Sequence, residues 1–343
     1  MRQLKRIIPL LLCAALLLSG CGGTSQEDGG EQEKYSGQVF AMDTYMSIDA
    51  YSDSQEPVDQ AISRIQELEA LFSTTDESSE IYAINANGSG TVSGDVAYVL
   101  SQALELCALT GGALDISIYP VVRAWGFTTG EYRIPSESEL AALLERVGYT
   151  AVSLEDGAVT LGEDMMIDLG SVVKGYTGDV LTAQLAESGV TSALLNLGGN
   201  VQALGTKPDG SLWRVAIQDP NDSEGYLGVV SVADKAVVTS GGYERYFEGS
   251  DGEIYWHIID PSTGAPAQNG LVSVSIIGDS GLYCDALSTA LFIMGEEQAV
   301  AFWRERQDFD MVLVTDDGRL LVSAGLEDSF ESMEVYPMEI IEP

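Results

Sequence analysis

The chain has 343 residues and a formal net charge of −37, with 53 acidic residues against 16 Lys and Arg. A surface so acidic excludes nucleic-acid binding, because phosphate contacts need a basic face. There is one histidine and there are four cysteines; with no CxxC pair and no His-rich tract, a zinc cluster is excluded as well.

Residues 1–20 read as a lipoprotein signal peptide. Arg2, Lys5 and Arg6 form a positive start, and Ile7 to Leu18 is an apolar run too short to span a bilayer comfortably. It ends in Leu18-Ser19-Gly20-Cys21, small residues before a cysteine. Cys21 is therefore the expected mature N-terminus and lipidation site, and the protein is expected to be extracytoplasmic and lipid-anchored to the cell membrane. Each buried CH₂ of an acyl chain contributes about 0.8 kcal/mol to such an anchor. Residues 21–36, rich in Gly, Glu, Gln and Asp, read as a flexible tether. Residues 37–343 then form a single large domain.

Apolar spacing predicts helices over Val58 to Phe72 and Asp95 to Thr110, the second stopped by Gly111-Gly112. Ser136 to Val147 opens with a capping box, Ser136 and Glu139, and closes at Gly148. Thr150 to Leu161 reads as a hairpin turning at Asp156-Gly157, and Lys174 to Glu187 as a helix. Short β-rich runs follow: Ala193 to Leu197, Leu212 to Gln218, Leu227 to Val232, Ala236 to Thr239, Ile254 to Ile259 and Val272 to Ile277. Two late helices, Tyr283 to Met294 and Glu297 to Arg306, precede the strands Met311 to Thr315 and Leu320 to Ser323. Without a regular βαβ rhythm, this order predicts an α+β domain with a mixed, largely antiparallel sheet flanked by helices. Cys107 and Cys284 fall in apolar helical patterns and read as buried thiols.

The lone histidine, His257, ends a β-rich run and meets Asp260-Pro261 and Thr263-Gly264. A single histidine can be structural; at a polar strand end, with a pKa near neutrality, it is also an acid–base candidate. Asp285 and Thr289 stand four apart and share one face of a predicted helix. Carboxylate and hydroxyl together suit a hard cation such as Mg²⁺. The alternative is a helix N-terminus, with Asp285 favouring the dipole and Thr289 merely packed. Paired-glycine turns recur at Gly111-Gly112, Gly198-Gly199 and Gly241-Gly242, where backbone could approach a phosphate-bearing ligand. Neither a Walker motif nor a dinucleotide-fold fingerprint in its strand–helix context is present.

Taken in order, these segments resemble the ApbE family, the FAD:protein FMN transferases. The resemblance is carried by Ala41-Met42-Asp43-Thr44, Phe72-Ser73-Thr74, Ser79 to Asn85, Thr110 to Asp115 and Ile167 to Tyr176. It continues through Leu195 to Asn200, Ser240 to Tyr246, the His257 block and the Asp285 block. It implies an ApbE/T-fold-like architecture, FAD as substrate, Mg²⁺ as cofactor and an acceptor flavoprotein of a membrane or extracytoplasmic redox system as partner. The implied metal ligands are the Ser171 carbonyl and the side chains of Asp285 and Thr289. His257 would lie by the reacting phosphate. Met42, Ala113, Leu114 and Asp115 would serve the flavin pocket, and Asp168 the adenosine half. Lys174 and the His257-Ile258 backbone would approach the dinucleotide, although a lysine at a helix start can equally be a solvated charge. Two positions depart from the pattern: Asp43-Thr44 stands where Gly-Thr is usual, and Thr75 where many members have tyrosine. An Mg²⁺-dependent FAD pyrophosphatase and a non-catalytic flavin-binding lipoprotein are the rival readings of the same pocket.

Overall fold

A hairpin of β1 (Glu33–Ala41) and β2 (Thr44–Ser52) opens the described part of the chain. The structure, a computed structural model, describes residues 33–343; the apolar leader, Cys21 and most of the expected tether lie outside the described residues. The hairpin turn is Met42-Asp43, with φ of +50° and +60°, the backbone of a tight primed turn. The tether expected through residue 36 is corrected here, because Glu33 already pairs with Ser52 and Ser36 with Asp49. Tyr35 and Val39 pack inward, whereas Lys34, Ser36 and Gln38 are exposed. An edge strand with so polar an outer face has the composition of a linker.

α1 (Glu56–Phe72) buries Val58, Ala61, Ile65, Leu68 and Phe72, with Ile62 of the expected apolar stripe half-buried beside them. α2 (Glu80–Asn87), β3 (Ser89–Thr91) and α3 (Gly94–Leu109) follow, then α4 (Tyr119–Trp125) and α5 (Glu137–Leu144). Ser136 caps α5 by accepting from the Glu139 N–H at 3.2 Å. The Glu139 carboxylate goes to Arg133 instead of turning back, so only half of the capping box forms. The expected hairpin is β4 (Ser153–Glu155) and β5 (Ala158–Thr160), turning at Asp156-Gly157 with φ of +50° and +79°.

After α6 (Val173–Glu187) come β6 (Ser192–Leu197), β7 (Asn200–Leu204), β8 (Trp213–Asp219), β9 (Asp222–Val232) and β10 (Ala236–Gly241). A small hairpin, β11 (Tyr246–Glu248) and β12 (Ile254–Trp256), precedes β13 (Leu271–Gly278). The strand expected to run to Ile259 stops at Trp256. His257 leaves the ladder, and Ile259 forms an isolated bridge with Pro266. α7 (Gly281–Met294), α8 (Glu296–Arg306), β14 (Asp310–Thr315), β15 (Leu320–Ser323), β16 (Phe330–Ser332) and β17 (Met338–Ile341) complete the fold.

Nine strands form the main sheet in the order β1-β2-β6-β7-β10-β13-β14-β15-β17, antiparallel except for the last pair. The expected α+β domain with a largely antiparallel sheet is what the chain forms. Alternate residues of its strands serve opposite layers. Val238, Ile276, Met311 and Leu313 pack under α7 and α8, while Val237, Ile277, Val312 and Val314 pack against the β8–β9 ribbon. Met46, Ile48, Ala50 and Leu195 meet α1 and α6.

α6 and α7 approach at glycines. A Cβ on Gly175 would lie 2.0 Å from the Gly281 carbonyl oxygen, a backbone atom that cannot swing aside. Asp179 of α6 locks this crossing by accepting from Ser280 Oγ at 2.9 Å, the Gly281 N–H at 2.6 Å and the Leu282 N–H at 3.0 Å. It thereby satisfies donors that the start of α7 leaves open. Gln202 Nε2 of β7 donates to the same carboxylate at 2.8 Å. Gly175→Ala is expected to destabilise the fold by about 3 kcal/mol, the upper end of ordinary overpacking. Calorimetry should register a Tm lower by several degrees, and an unchanged Tm would refute the tight crossing.

Candidate active site

The antiparallel register gathers three turns at one end of the main sheet. Met46 pairs with Leu197, so the Met42-Asp43 turn and the Gly198-Gly199 turn emerge side by side. A Cβ on Gly198 would meet Thr44 Oγ1 at 2.4 Å, which explains a glycine there at φ +67°. β10 pairs Val237 with Val201, so its last residues, Ser240 and Gly241, run on to the same end.

Beside this end, the start of α6 meets one face of α7. Asp285 is 3% exposed and its Oδ2 accepts from the Gly175 N–H at 2.9 Å. In a regular helix that N–H would reach the Ser171 carbonyl four residues back; its diversion to Asp285 leaves the carbonyl oxygen to other partners. Lys174 Nζ stands 3.9 Å from Asp285 Oδ1. One turn along α7, Thr289 Oγ1 lies 3.4 Å from Ser240 Oγ, which is itself 2.8 Å from Ser288 Oγ. Ser171, Asp285 and Thr289 thus supply a carbonyl, a carboxylate and a hydroxyl, all hard oxygen donors. Among the described residues no three His, Cys, Asp or Glu side chains cluster as metal ligands. A cation held here would draw on one carboxylate and neutral oxygens, with positions open to substrate oxygens.

His257 is fixed by the base of the β11–β12 hairpin. Its N–H donates to the Arg245 carbonyl at 3.1 Å and its Nδ1 lies 3.2 Å from the same oxygen. A carbonyl only accepts, so Nδ1 carries the proton and the Nε2 lone pair is available as a base. Phe127 stands edge-on to the ring at 6.4 Å. Desolvation, then the charges of Arg245 and Lys174, push the imidazole pKa down to about 4, an effect tempered because the ring is only half-buried. Desolvation raises the Asp168 carboxyl above its ordinary range, against the opposing Gly170 N–H and Arg245. Glu244 is lifted to about 7, first by desolvation and also by Asp285; its side chain still reaches solvent, which tempers the effect. His257, Asp168, Glu244, Lys174 and Asp285 are therefore electrostatic neighbours.

The residues expected at the flavin divide. Met42 sits on the β1–β2 turn and donates its N–H to Glu69 Oε1 at 2.6 Å. Ala113 packs on the α7 cluster. Leu114 is buried in the α3 cluster at 2% exposure, so it can offer a ligand only backbone. The Asp115 carboxylate is spent on its own loop, accepting from Ser117 N–H and Oγ at 2.8 and 2.6 Å and from the Tyr149 N–H at 3.0 Å. That loop adjoins Asp168, whose N–H donates to the Ile116 carbonyl at 2.8 Å. Ile258 is buried, its carbonyl held by the Ala267 N–H at 2.9 Å. The sequence alone does not single out Glu244, Arg245, Ser240 or Asp179, although the first three lie within Ser240 to Tyr246. A separate cleft of about 620 Å³ lies at the start of α8, where the carboxylates of Glu296, Glu297, Asp316 and Asp317 outnumber the guanidinium groups of Arg304 and Arg319.

Residues 42–313 match the sequence profile of the ApbE family. A FAD:protein FMN transferase of Vibrio cholerae is 33% identical over 321 residues, covering 90% of this chain and 93% of that protein. One of Treponema pallidum is 32% identical, with 94% of each chain covered. The crystal structure of the ApbE protein of Thermotoga maritima superposes with a TM-score of 0.80 at 30% identity, covering 85% of this chain and 98% of that one. The flavin transferase ApbE of Vibrio cholerae superposes at 0.77 with 29% identity, covering 87% and 99%. The matched span includes the Met42 turn, the His257 strand end and the Asp285 helix, and this chain belongs to the ApbE family.

Proposed function

We propose that this protein transfers FMN from FAD to a serine or threonine hydroxyl of an acceptor flavoprotein, with Mg²⁺ as its metal. The acceptor oxygen attacks the FMN phosphorus, the phosphoanhydride bond to AMP breaks, and a phosphoester remains. The observation that carries this reading is Lys174, which stands 3.9 Å from the oxygen-donor site at Asp285 and near enough to His257 to depress its basicity. Base, cation and oxygen ligands thus serve one reacting centre. His257 Nε2 takes the hydroxyl proton. The Ser171 carbonyl, Asp285 and Thr289 hold the metal, which when bound would neutralise charge on the pyrophosphate. Lys174 and the Ile258 backbone lie along the dinucleotide, Asp168 takes the adenosine half, and Met42, Ala113, Leu114 and Asp115 shape the flavin end. Following AMP release with and without an acceptor domain tests the reaction. Release that depends on acceptor supports transfer; equal release without it, with free FMN accumulating, would mean a pyrophosphatase.

Location follows from the leader. In this reading lipidated Cys21 holds the domain at the outer side of the membrane; no helix among the described residues is long and apolar enough to cross a membrane. Cys21→Ala should shift the protein from the membrane fraction to the soluble fraction while the purified domain keeps its transfer rate. Retention of the variant in the membrane fraction would contradict the anchor.

A further inference from the structure

Arg245 is one of the loosely held arginines of this acidic chain, like Arg146, which stands 3.7 Å from Asp164. Arg64, Arg214, Arg306 and Arg319 each hold a carboxylate at 2.6–2.8 Å. Arg245 reaches only Asp43 Oδ2, at 3.8 Å, and among the described residues its guanidinium makes no closer polar contact. The two side chains are 42% and 83% exposed, and a pair so open to water contributes little to stability. The fold uses Arg245 through its backbone, since the carbonyl, and not the side chain, fixes His257. With its carbonyl against His257 and its guanidinium 3.8 Å from Asp43 on the β1–β2 turn, Arg245 links two parts of the site, and its charge also acts on Asp168, Glu244 and His257. A protein of charge −37 repels an anionic dinucleotide, so local cations must reverse the field at the cleft. Lys174, 3.9 Å from Asp285, is one. A planar fork with its donors unspent suits two phosphate oxygens at once.

We infer that Arg245 is a further substrate-binding residue whose guanidinium takes the pyrophosphate oxygens of the flavin dinucleotide, leaving Asp43, its partner in the free protein. This rests on the reading of the chain as FAD-binding. Asp43 acts as a weak internal competitor: its carboxylate, on the β1–β2 turn, must give up the guanidinium before phosphate can take it.

Titration with FAD, read by flavin fluorescence, separates the possibilities. Arg245→Gln should weaken FAD binding about 10- to 100-fold, the range of one or two charge-assisted hydrogen bonds. Arg245→Lys, a point charge without the fork, should fall between. Asp43→Asn should tighten binding about two- to fivefold and do nothing further in the Arg245→Gln background. Wild-type binding with Arg245→Gln within threefold of it would overturn the assignment alone, whereas a wild type that does not bind FAD would overturn the underlying reading. Should Arg245→Gln fail to fold, Asp43→Asn decides: tighter binding supports the competition, and unchanged binding overturns it.

Discussion

Asp285→Asn should lower FMN transfer by at least about 10³-fold, because a metal's stabilisation of developing phosphate charge amounts to several kcal/mol. The asparagine is the sharper test. Its side-chain carbonyl can still accept from the Gly175 N–H, which Asp285 Oδ2 now holds at 2.9 Å, so the α6–α7 crossing keeps its link and only the charge is lost. Asp285→Ala removes both and should lower Tm as well as rate. Thr289→Ala, losing a neutral hydroxyl, should cost about tenfold, since one neutral ligand contributes less than the carboxylate. Chelator should bring the wild type down to the Asp285→Asn rate, and added Mg²⁺ should restore it. Full activity of Asp285→Asn in chelator would remove the metal from the mechanism.

His257→Ala should slow transfer by about 10²–10⁴-fold, the usual contribution of a general base, while FAD still binds. The pH profile follows from the depressed pKa. Only neutral imidazole accepts a proton, and with its pKa pushed down to about 4 His257 is neutral above that pH. The rate should be level through neutral pH and fall as acid protonates Nε2 near pH 4; the limb should vanish in His257→Ala. A limb centred at the ordinary histidine value of about 6.5 would show that desolvation and the Arg245 and Lys174 charges do not act as described. The competing role is structural. Because the backbone N–H of residue 257 holds the Arg245 carbonyl at 3.1 Å and survives the substitution, the hairpin base should persist. A lower Tm and weaker FAD binding, with turnover of the bound enzyme unchanged, would make His257 a turn residue.

The long amphipathic helices were legible because burial on one face imposes a 3.6-residue period; Val58, Ile65, Leu68 and Phe72 of α1 are an example. The Asp156-Gly157 hairpin was legible because positive φ at both positions restricts the residues allowed. Single residues with unusual chemistry, His257 and the Asp285–Thr289 pair, could be singled out as candidates without knowing the fold, while their roles came only with the family resemblance. What stayed hidden depends on distant pairing. The first four residues of β1 looked like tether because among them only Tyr35 touches the core. Arg245 gains its place only when Tyr246 pairs with Trp256, which sets its carbonyl against His257. Asp179 caps a helix that begins about a hundred positions later in the chain, and no local pattern announces that. Asp115 shows the reverse: the family resemblance implied a flavin contact, and the structure spends its carboxylate on Ser117 and Tyr149.

Covalent flavin on an acceptor is the most direct test of the account. The purified domain, FAD and Mg²⁺ should be incubated with a flavin-acceptor domain, denatured, and examined by in-gel fluorescence and intact mass. The predicted result is a fluorescent acceptor band whose mass has risen by one FMN less one water, lost when the acceptor hydroxyl is replaced and absent with Asp285→Asn. An acceptor of unchanged mass alongside free FMN and AMP would contradict it.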